Sequence, residues 1–213
     1  MTDRSPHPLA GLLLRQHDGV TCGPTVAVVS GGLLDPARLA AWADPDRFAD
    51  EQRRVHRRVN RIWPRRLGTT PPAMARAMNE QGAAAGVRYR WRLYRGCGDP
   101  LTDVLAAARA NRPVAMLVGG VIPRHWVLIG GLLEPEHPAT PPSRSPGDSQ
   151  TAKTSTVPRP GDPPSRRVFW CFEPSSGQVR AVDVAAVRAG RLTGLGFPRP
   201  FAFVVPAPSH SNV

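Results

Sequence analysis

The chain has 213 residues, 41% of them hydrophobic, and a formal net charge of +12. This length and apolar content suit one globular domain with a buried core. Nearly all of the positive charge is arginine, because Lys153 is the only lysine, so basicity by itself favours nucleic-acid binding only weakly. The cysteines, Cys22, Cys97 and Cys171, are odd in number and widely spaced, which argues against a disulfide framework or a structural zinc site. We expect no cofactor.

The apolar run near the N-terminus, residues 9–14, is too short for a signal peptide or a membrane span. It predicts a strand or an extended lead into the segment that follows. No other apolar run approaches the length of a spanning helix. We therefore expect a soluble, cytoplasmic protein with neither a membrane nor nucleic acid as a partner.

The segment 16–24 is polar and turn-prone, ends in Cys-Gly-Pro and leads directly into an apolar run. This pattern predicts a loop that places Cys22 in the first turn of a buried helix, where Pro24 is tolerated because its missing N–H has no intrahelical partner. The free N–H groups and the helix dipole at that end favour the thiolate form of a cysteine. Cys22 is therefore the candidate nucleophile. The amide of Gln16 is the candidate donor to an oxyanion formed at a carbonyl under attack.

The next segments predict three helices. Gly31 and Gly32 are expected to end the first helix, and residues 35–42 form a short second one. Residues 46–63 read as a basic amphipathic helix with Phe48 and Val55 in its apolar stripe. Its arginines indicate either a solvated face over the core or a docking surface for an acidic protein partner.

The middle of the chain alternates predicted helices and strands. Thr70 is placed as the N-cap of a helix that runs to Gln81, and Asp99 as the cap of a helix over 100–111. Residues 88–94 alternate arginine with apolar side chains, which predicts a half-buried strand with its polar side in water, although such a pattern can also stack on bases. Residues 114–118 predict a buried strand.

A glycine-rich connection, residues 119–123, separates that strand from the next, which should start near Arg124 and end at the glycine pair 130–131. His125 then stands at the mouth of its strand, on the same face as Val127 and Ile129. A neutral imidazole there could take a proton from Cys22 and return it to a leaving group. The alternative is a structural histidine whose hydrogen bonds are satisfied within the sheet.

Residues 133–167 are dominated by Pro, Ser, Thr, Gly and Asp, and such a segment buries too little apolar surface to offset its ordering entropy. We interpret it as a disordered insertion. A single domain is then formed by residues 9–132 and 168–206, with flexible ends at 1–8 and 207–213.

The chain returns to an apolar strand at Val168, and alternation places Glu173 at its end, on the same side as Phe169 and Cys171. Its carboxylate could accept from the imidazole N–H and stabilise the charged ring. The alternative is a glutamate in a surface turn. A partner strand over 178–184, a short helix over 184–189 and a closing strand over 201–205 complete the prediction.

Three motifs in this order resemble those of papain-like cysteine peptidases, and most closely the bacterial C39-like branch. The motifs are Gln16 followed by five residues and Cys-Gly-Pro, Arg-His-Trp-Val at 124–127, and Glu-Pro-Ser-Ser-Gly at 173–177. The last has Glu where that family has Asp. The resemblance implies an α+β fold, with an N-terminal helical half that carries the nucleophile at a helix N-terminus and packs on a mostly antiparallel sheet.

The resemblance also implies a function, a cysteine peptidase-like thiol hydrolase. Cys22, His125 and Glu173 would form the triad, Gln16 would be the oxyanion donor, and a peptide or protein would be the substrate. A transglutaminase-like acyl transferase has the same order of residues and is one alternative. The other is a catalytically inactive, Arg-rich binding module of the same fold.

Overall fold

A computed structural model of the chain describes residues 8–59, 68–133 and 167–208. Most of the predicted insertion 133–167 and most of both predicted flexible ends lie outside these residues. The described part consists of helices packed on one antiparallel sheet, so the expected α+β class is confirmed. The helices are α1 Cys22–Leu34, α2 Pro36–Ala41, α3 Pro45–Val59, α4 Pro71–Gly82, α5 Thr102–Arg109 and α6 Val184–Arg188.

The sheet is the layer that organises the rest of the fold. Its strands are β1 Tyr89–Leu93, β2 Val114–Gly119, β3 Pro123–Leu133, β4 Val168–Glu173, β5 Gln178–Asp183 and β6 Arg199–Pro206. They pair antiparallel throughout, in the order β1-β6-β2-β3-β4-β5. Strand alternation then sends successive side chains to opposite faces, and helices cover both faces.

Each face of the sheet has its own core. The first core joins α1, α3 and α4 to strand residues such as Trp126, Leu128 and Phe172. The second joins α5 and α6 to the alternate strand residues, among them Val127 and Phe169. The predicted alternation in β3 and β4 is therefore confirmed. None of the helices in the described residues is long and apolar enough to cross a membrane.

Two glycine pairs were expected to end elements, and both lie inside them. Helix α1 continues to Leu34 because Gly32 packs directly against the Trp42 ring, where a Cβ atom would collide. Strand β3 likewise continues to Leu133 through a register shift between Ile129 and Gly131, and the Trp170 ring covers both of its glycines. Close approach by an aromatic ring, rather than a turn, explains these glycines.

Two predictions in the middle of the chain are wrong in their detail. Arg92 does not face water, because its guanidinium is largely buried and pairs with Asp99 at 2.8 Å and Asp103 at 2.7 Å. Asp99 does not cap α5, which begins at Thr102, and its carboxylate instead accepts from the N–H groups of Leu101 and Arg95. Asp99, which the sequence assigned to the cap of α5, thus pairs with Arg92.

The other element boundaries agree with the predicted ones or differ little from them. Thr70 caps α4 as predicted, since its hydroxyl accepts from the N–H of Ala73. Residues 9–14 form a turn and an extended lead instead of a strand. The basic helix α3 is described as far as Val59, and the rest of its predicted range, to residue 63, lies outside the described residues.

The pairing of β3 with β4 generates a prediction about the segment that joins them. Leu133 and Val168 are register partners, so the two strand ends already lie side by side. Deleting residues 136–165 should change the melting temperature by no more than about 3 °C, because loop-closure entropy varies slowly with loop length. Calorimetry of the deletion variant measures this. Loss of the cooperative transition would show that the segment contributes to the core.

Candidate active site

Cys22 is the first residue of α1 and is buried, with 4% of its surface exposed. The N-cap residue, Thr21, makes no side-chain capping hydrogen bond, so the N–H groups of the first turn remain free to bind another acceptor. Pro24 lies in that turn and has no N–H to lose. The predicted position of Cys22 at the positive end of a buried helix is therefore the one observed.

Gln52 of α3 holds the loop before Cys22 in place, and its side chain is buried, with 1% exposed. Its Oε1 accepts from the backbone N–H of His17 at 3.2 Å and from the hydroxyl of Thr25 at 3.0 Å. Its Nε2 donates to the carbonyl oxygen of Arg15 at 2.9 Å. One amide thus ties the loop on both sides of Gln16 to the helix that carries Cys22.

Gln16 itself is attached to the far side of the site. Its backbone N–H donates to the carbonyl oxygen of Pro174, directly after Glu173, at 2.8 Å. Its side-chain Nε2 donates to the carbonyl oxygen of Asp18 at 2.8 Å, which uses one of its two hydrogens. Its Oε1 is buried without a partner among the described residues. The amide is held in place with one N–H left, and its role as an oxyanion donor stays a prediction.

His125 enters the site from the start of β3. A register shift in β2, between Val118 and Gly119, accompanies the connection that turns the chain into this strand. The imidazole is 7% exposed and packs against the ring of Phe197, with the ring centroids 5.6 Å apart. On the opposite face, Trp126 donates from Nε1 to the carbonyl oxygen of Thr69 at 2.8 Å and so holds the loop before α4 against the site.

Glu173 arrives from the end of the neighbouring strand, and its Oε1 lies 2.8 Å from Nε2 of His125. The same carboxylate accepts from the N–H groups of Ser175 and Ser176, each at 2.8 Å, so both of its oxygens are bound. An ionised carboxylate can only accept, which places a hydrogen on Nε2. Cys22 lies close enough to His125 to contribute to the raised pKa of its ring. Since Nε2 is bound to Glu173, Nδ1 is the ring nitrogen left for the sulfur.

The charges of this cluster shift the pKa values of its members. Burial alone would lower the pKa of His125, but the hydrogen bonds and negative charges of Cys22 and Glu173 outweigh it and raise the pKa to about 9. Burial would likewise raise the pKa of Glu173, yet the bonds from His125, Ser176 and Ser175 bring it well below its ordinary value. Both shifts favour a charged imidazolium beside a charged carboxylate at neutral pH.

A cavity of about 180 Å³ opens beside Cys22 and is the space into which a reacting group could enter. The loop that Trp126 holds forms one wall, and β2 and β3 supply the other. Thr69 lies so close to Gly23 that a side chain at position 23 would collide with it. The glycine of the Cys-Gly-Pro motif is therefore required for this wall to approach the helix.

The remaining cysteines lie apart from this cluster. Cys171 is fully buried in the second core, and burial raises the pKa of its thiol. Cys97 is exposed, and its sulfur donates to the carbonyl oxygen of Ala189. Within residues 8–59, 68–133 and 167–208, no group of three or more His, Cys, Asp or Glu side chains could hold a metal ion.

The structure thus brings Cys22, His125 and Glu173 together, with a hydrogen bond between the last two, and places Gln16 on the loop before Cys22. Sequence reasoning missed Gln52 and Thr69. Gln52 did leave a signal, because it is an uncharged polar residue four positions after Phe48 and three before Val55, within the apolar stripe of the helix. The chain matches no protein-family model, and comparison with curated proteins found no match. The interpretation of the site therefore rests on its geometry.

The pKa of His125 generates a prediction for the site. In the wild-type chain the imidazolium should persist to about pH 9, and the stability that it contributes should be complete below its ordinary pKa of 6.5 and lost as the pH rises through about 9. Cys22→Ala removes a side chain that helps to raise the pKa of His125, so the titration should move to lower pH. NMR titration of the His125 ring measures this. An unchanged midpoint in the variant would mean that the two side chains do not interact.

Proposed function

We propose that this chain is a papain-like cysteine peptidase, a thiol hydrolase of peptide or protein substrates similar to the C39-like branch. The observation that carries the proposal is the contact of His125 with both Cys22 and Glu173, at 2.8 Å for the carboxylate. These residues come from three separate segments of the chain. A nucleophile, a base and a group that orients the base are the minimum set for covalent acyl transfer.

The first half of the reaction follows from the two ring nitrogens. The Cys22 sulfur attacks the carbonyl carbon of the scissile amide while Nδ1 of His125 holds the proton of the thiol. The tetrahedral intermediate collapses, the C–N bond breaks, and Nδ1 gives its proton to the leaving nitrogen. A thioester on Cys22 and a free amine are the products. Glu173 holds the ring through Nε2 during these steps, so Nδ1 keeps facing the sulfur.

The second half repeats these steps with water. Nδ1, now unprotonated, takes a proton from a water molecule as the oxygen attacks the thioester carbon. The C–S bond then breaks, the acid leaves, and Cys22 recovers its proton. In both halves the developing oxyanion needs donors. The free N–H groups at the start of α1 and the second N–H of Gln16 Nε2 supply them.

Glu in place of the family's Asp is compatible with this proposal. The turn after β4 folds back so that the N–H groups of Ser175 and Ser176 bind the carboxylate, while Oε1 still reaches His125. The additional methylene lets one carboxylate contact both the turn and the His125 ring. The acid is therefore fixed by groups other than its catalytic partner, which is what an orienting residue requires.

The proposal predicts that Cys22→Ala and His125→Ala each abolish peptide hydrolysis while the fold is retained. The assay incubates each variant with a library of tryptic peptides in ¹⁸O-labelled water and identifies new C-termini by mass spectrometry. Labelled carboxyl termini identify water as the acyl acceptor, whereas transfer to added amine would indicate a transglutaminase-like acyl transferase. Cys97→Ala is the matched control and should keep full activity. Equal turnover by wild type and Cys22→Ala would contradict the assignment.

Glu173 gives a separate prediction. Glu173→Gln should lower kcat by about a hundredfold or more, because an amide cannot stabilise the charged ring and can present the wrong partner to Nε2. The kcat of Glu173→Asp should lie between those of the wild type and Glu173→Gln. The shorter side chain keeps the charge but cannot reach both the His125 ring and the turn after β4. The measurement is kcat on one peptide found in the library, with melting temperatures as the folding control. Full activity of the Gln variant would leave a Cys22 and His125 dyad.

A further inference from the structure

The cavity beside Cys22 has one cationic side chain in its lining. Apolar contacts come from Leu117 and Trp126, and Arg124 is the only positively charged residue of the described lining. A volume of about 180 Å³ is well below that of a pocket for a drug-sized ligand, so it suits a single side chain. The lining thus offers an apolar floor and one positive charge to whatever group enters.

The charged group of this cavity has no ion-pair partner among the described residues. Arg124 is exposed, lies next to His125, and forms no ion pair with the described residues. Its guanidinium is therefore free to contact a ligand. The Thr69 hydroxyl oxygen also makes no hydrogen bond with these residues, but it is buried against Gly23 and does not face the cavity.

The surroundings of the cavity extend this positive charge. A second hollow of about 660 Å³ lies at the same end of the sheet, and Val121 of the β2–β3 connection forms part of its lining. Arg191 and Arg199 line that hollow, and no Asp or Glu does within the described residues. Arg124, Arg191 and Arg199 therefore place three positive charges at the end of the sheet where a substrate would approach Cys22.

We propose that the cavity binds the carboxylate side chain of an aspartate or glutamate next to the scissile bond, so that the substrate class is an acidic peptide. The carboxylate pairs with the guanidinium of Arg124, while its methylene groups contact Leu117 and Trp126. This inference rests on the proposed function, because it assigns a specificity site to the same nucleophile. It also gives a role to the arginines near the site, since Glu173 is already bound by His125 and the turn after β4 and does not pair with them.

Alkylation of Cys22 by a matched pair of reagents tests the site without a known substrate. Iodoacetate and iodoacetamide differ by a negative charge, and mass spectrometry of the Cys22 peptide gives the two rates separately from those at Cys97 and Cys171. The ratio of the iodoacetate rate to the iodoacetamide rate should exceed that of a neutral cysteine peptide. Arg124→Gln should lower the ratio by about fivefold, the effect of one partly solvated ion pair.

Controls separate the local effect of Arg124 from the overall charge of the chain. Arg88→Gln removes the same charge from an exposed position just before β1, at the other end of the sheet, and should leave the ratio unchanged. Arg124→Lys keeps the charge and should retain most of the preference.

Failure of this inference differs from failure of the proposed function. If Arg124→Gln leaves the ratio at the wild-type value while Cys22 reacts rapidly with both reagents, the carboxylate site is wrong and the hydrolase stands. If Cys22 reacts with both reagents no faster than the neutral peptide, yet the ratio depends on Arg124, the cavity binds anions and the hydrolase is contradicted.

Discussion

The hydrogen bond between Nε2 of His125 and the carboxylate of Glu173 is the contact that gives the candidate site its shape. It joins the start of one strand to the end of its neighbour, and it can form only while β3 and β4 keep their register. It fixes the tautomer and plane of the ring, so that the other nitrogen must face the helix that carries Cys22. The sheet thereby sets the direction of the imidazole, and α1 brings the Cys22 side chain to it.

Rigidity on both sides of this bond comes from groups that take no part in the chemistry. The turn after β4 binds both oxygens of the acid through backbone N–H groups, and Gln52 fixes the loop that leads to Cys22. Trp126 holds the loop that carries Thr69 from the opposite face of the sheet. Gln52 and Trp126 have partners far away in sequence, whereas the turn after β4 binds an acid two and three residues before it. Together these supports keep the side chains of the site aligned without the help of a bound molecule.

Local patterns in the sequence carried much of this arrangement. Alternation placed His125 and Glu173 on one face of adjacent strands, and the Cys-Gly-Pro motif placed Cys22 at a helix end; the structure has both. Local patterns could not reveal Gln52, whose partners are set by tertiary packing, or the diversion of Asp99 from a helix cap to the buried Arg92. The prediction that Gly130 and Gly131 end β3 was wrong for the same reason, because the Trp170 ring that covers them belongs to another strand.

The side-by-side ends of β3 and β4 have a consequence for how the candidate site can be assembled. Cys22 and His125 precede that junction, and Glu173 follows it, so a single backbone cut between Leu133 and Val168 would divide these three residues between two polypeptides. The smaller piece would carry β4 and β5, which form one edge of the sheet, and β6, which pairs between β1 and β2. Mixed together, the pieces would regain an oriented imidazole only by re-forming that strand pair. The chain is thus a natural candidate for fragment complementation, with thiol chemistry as the reporter of association.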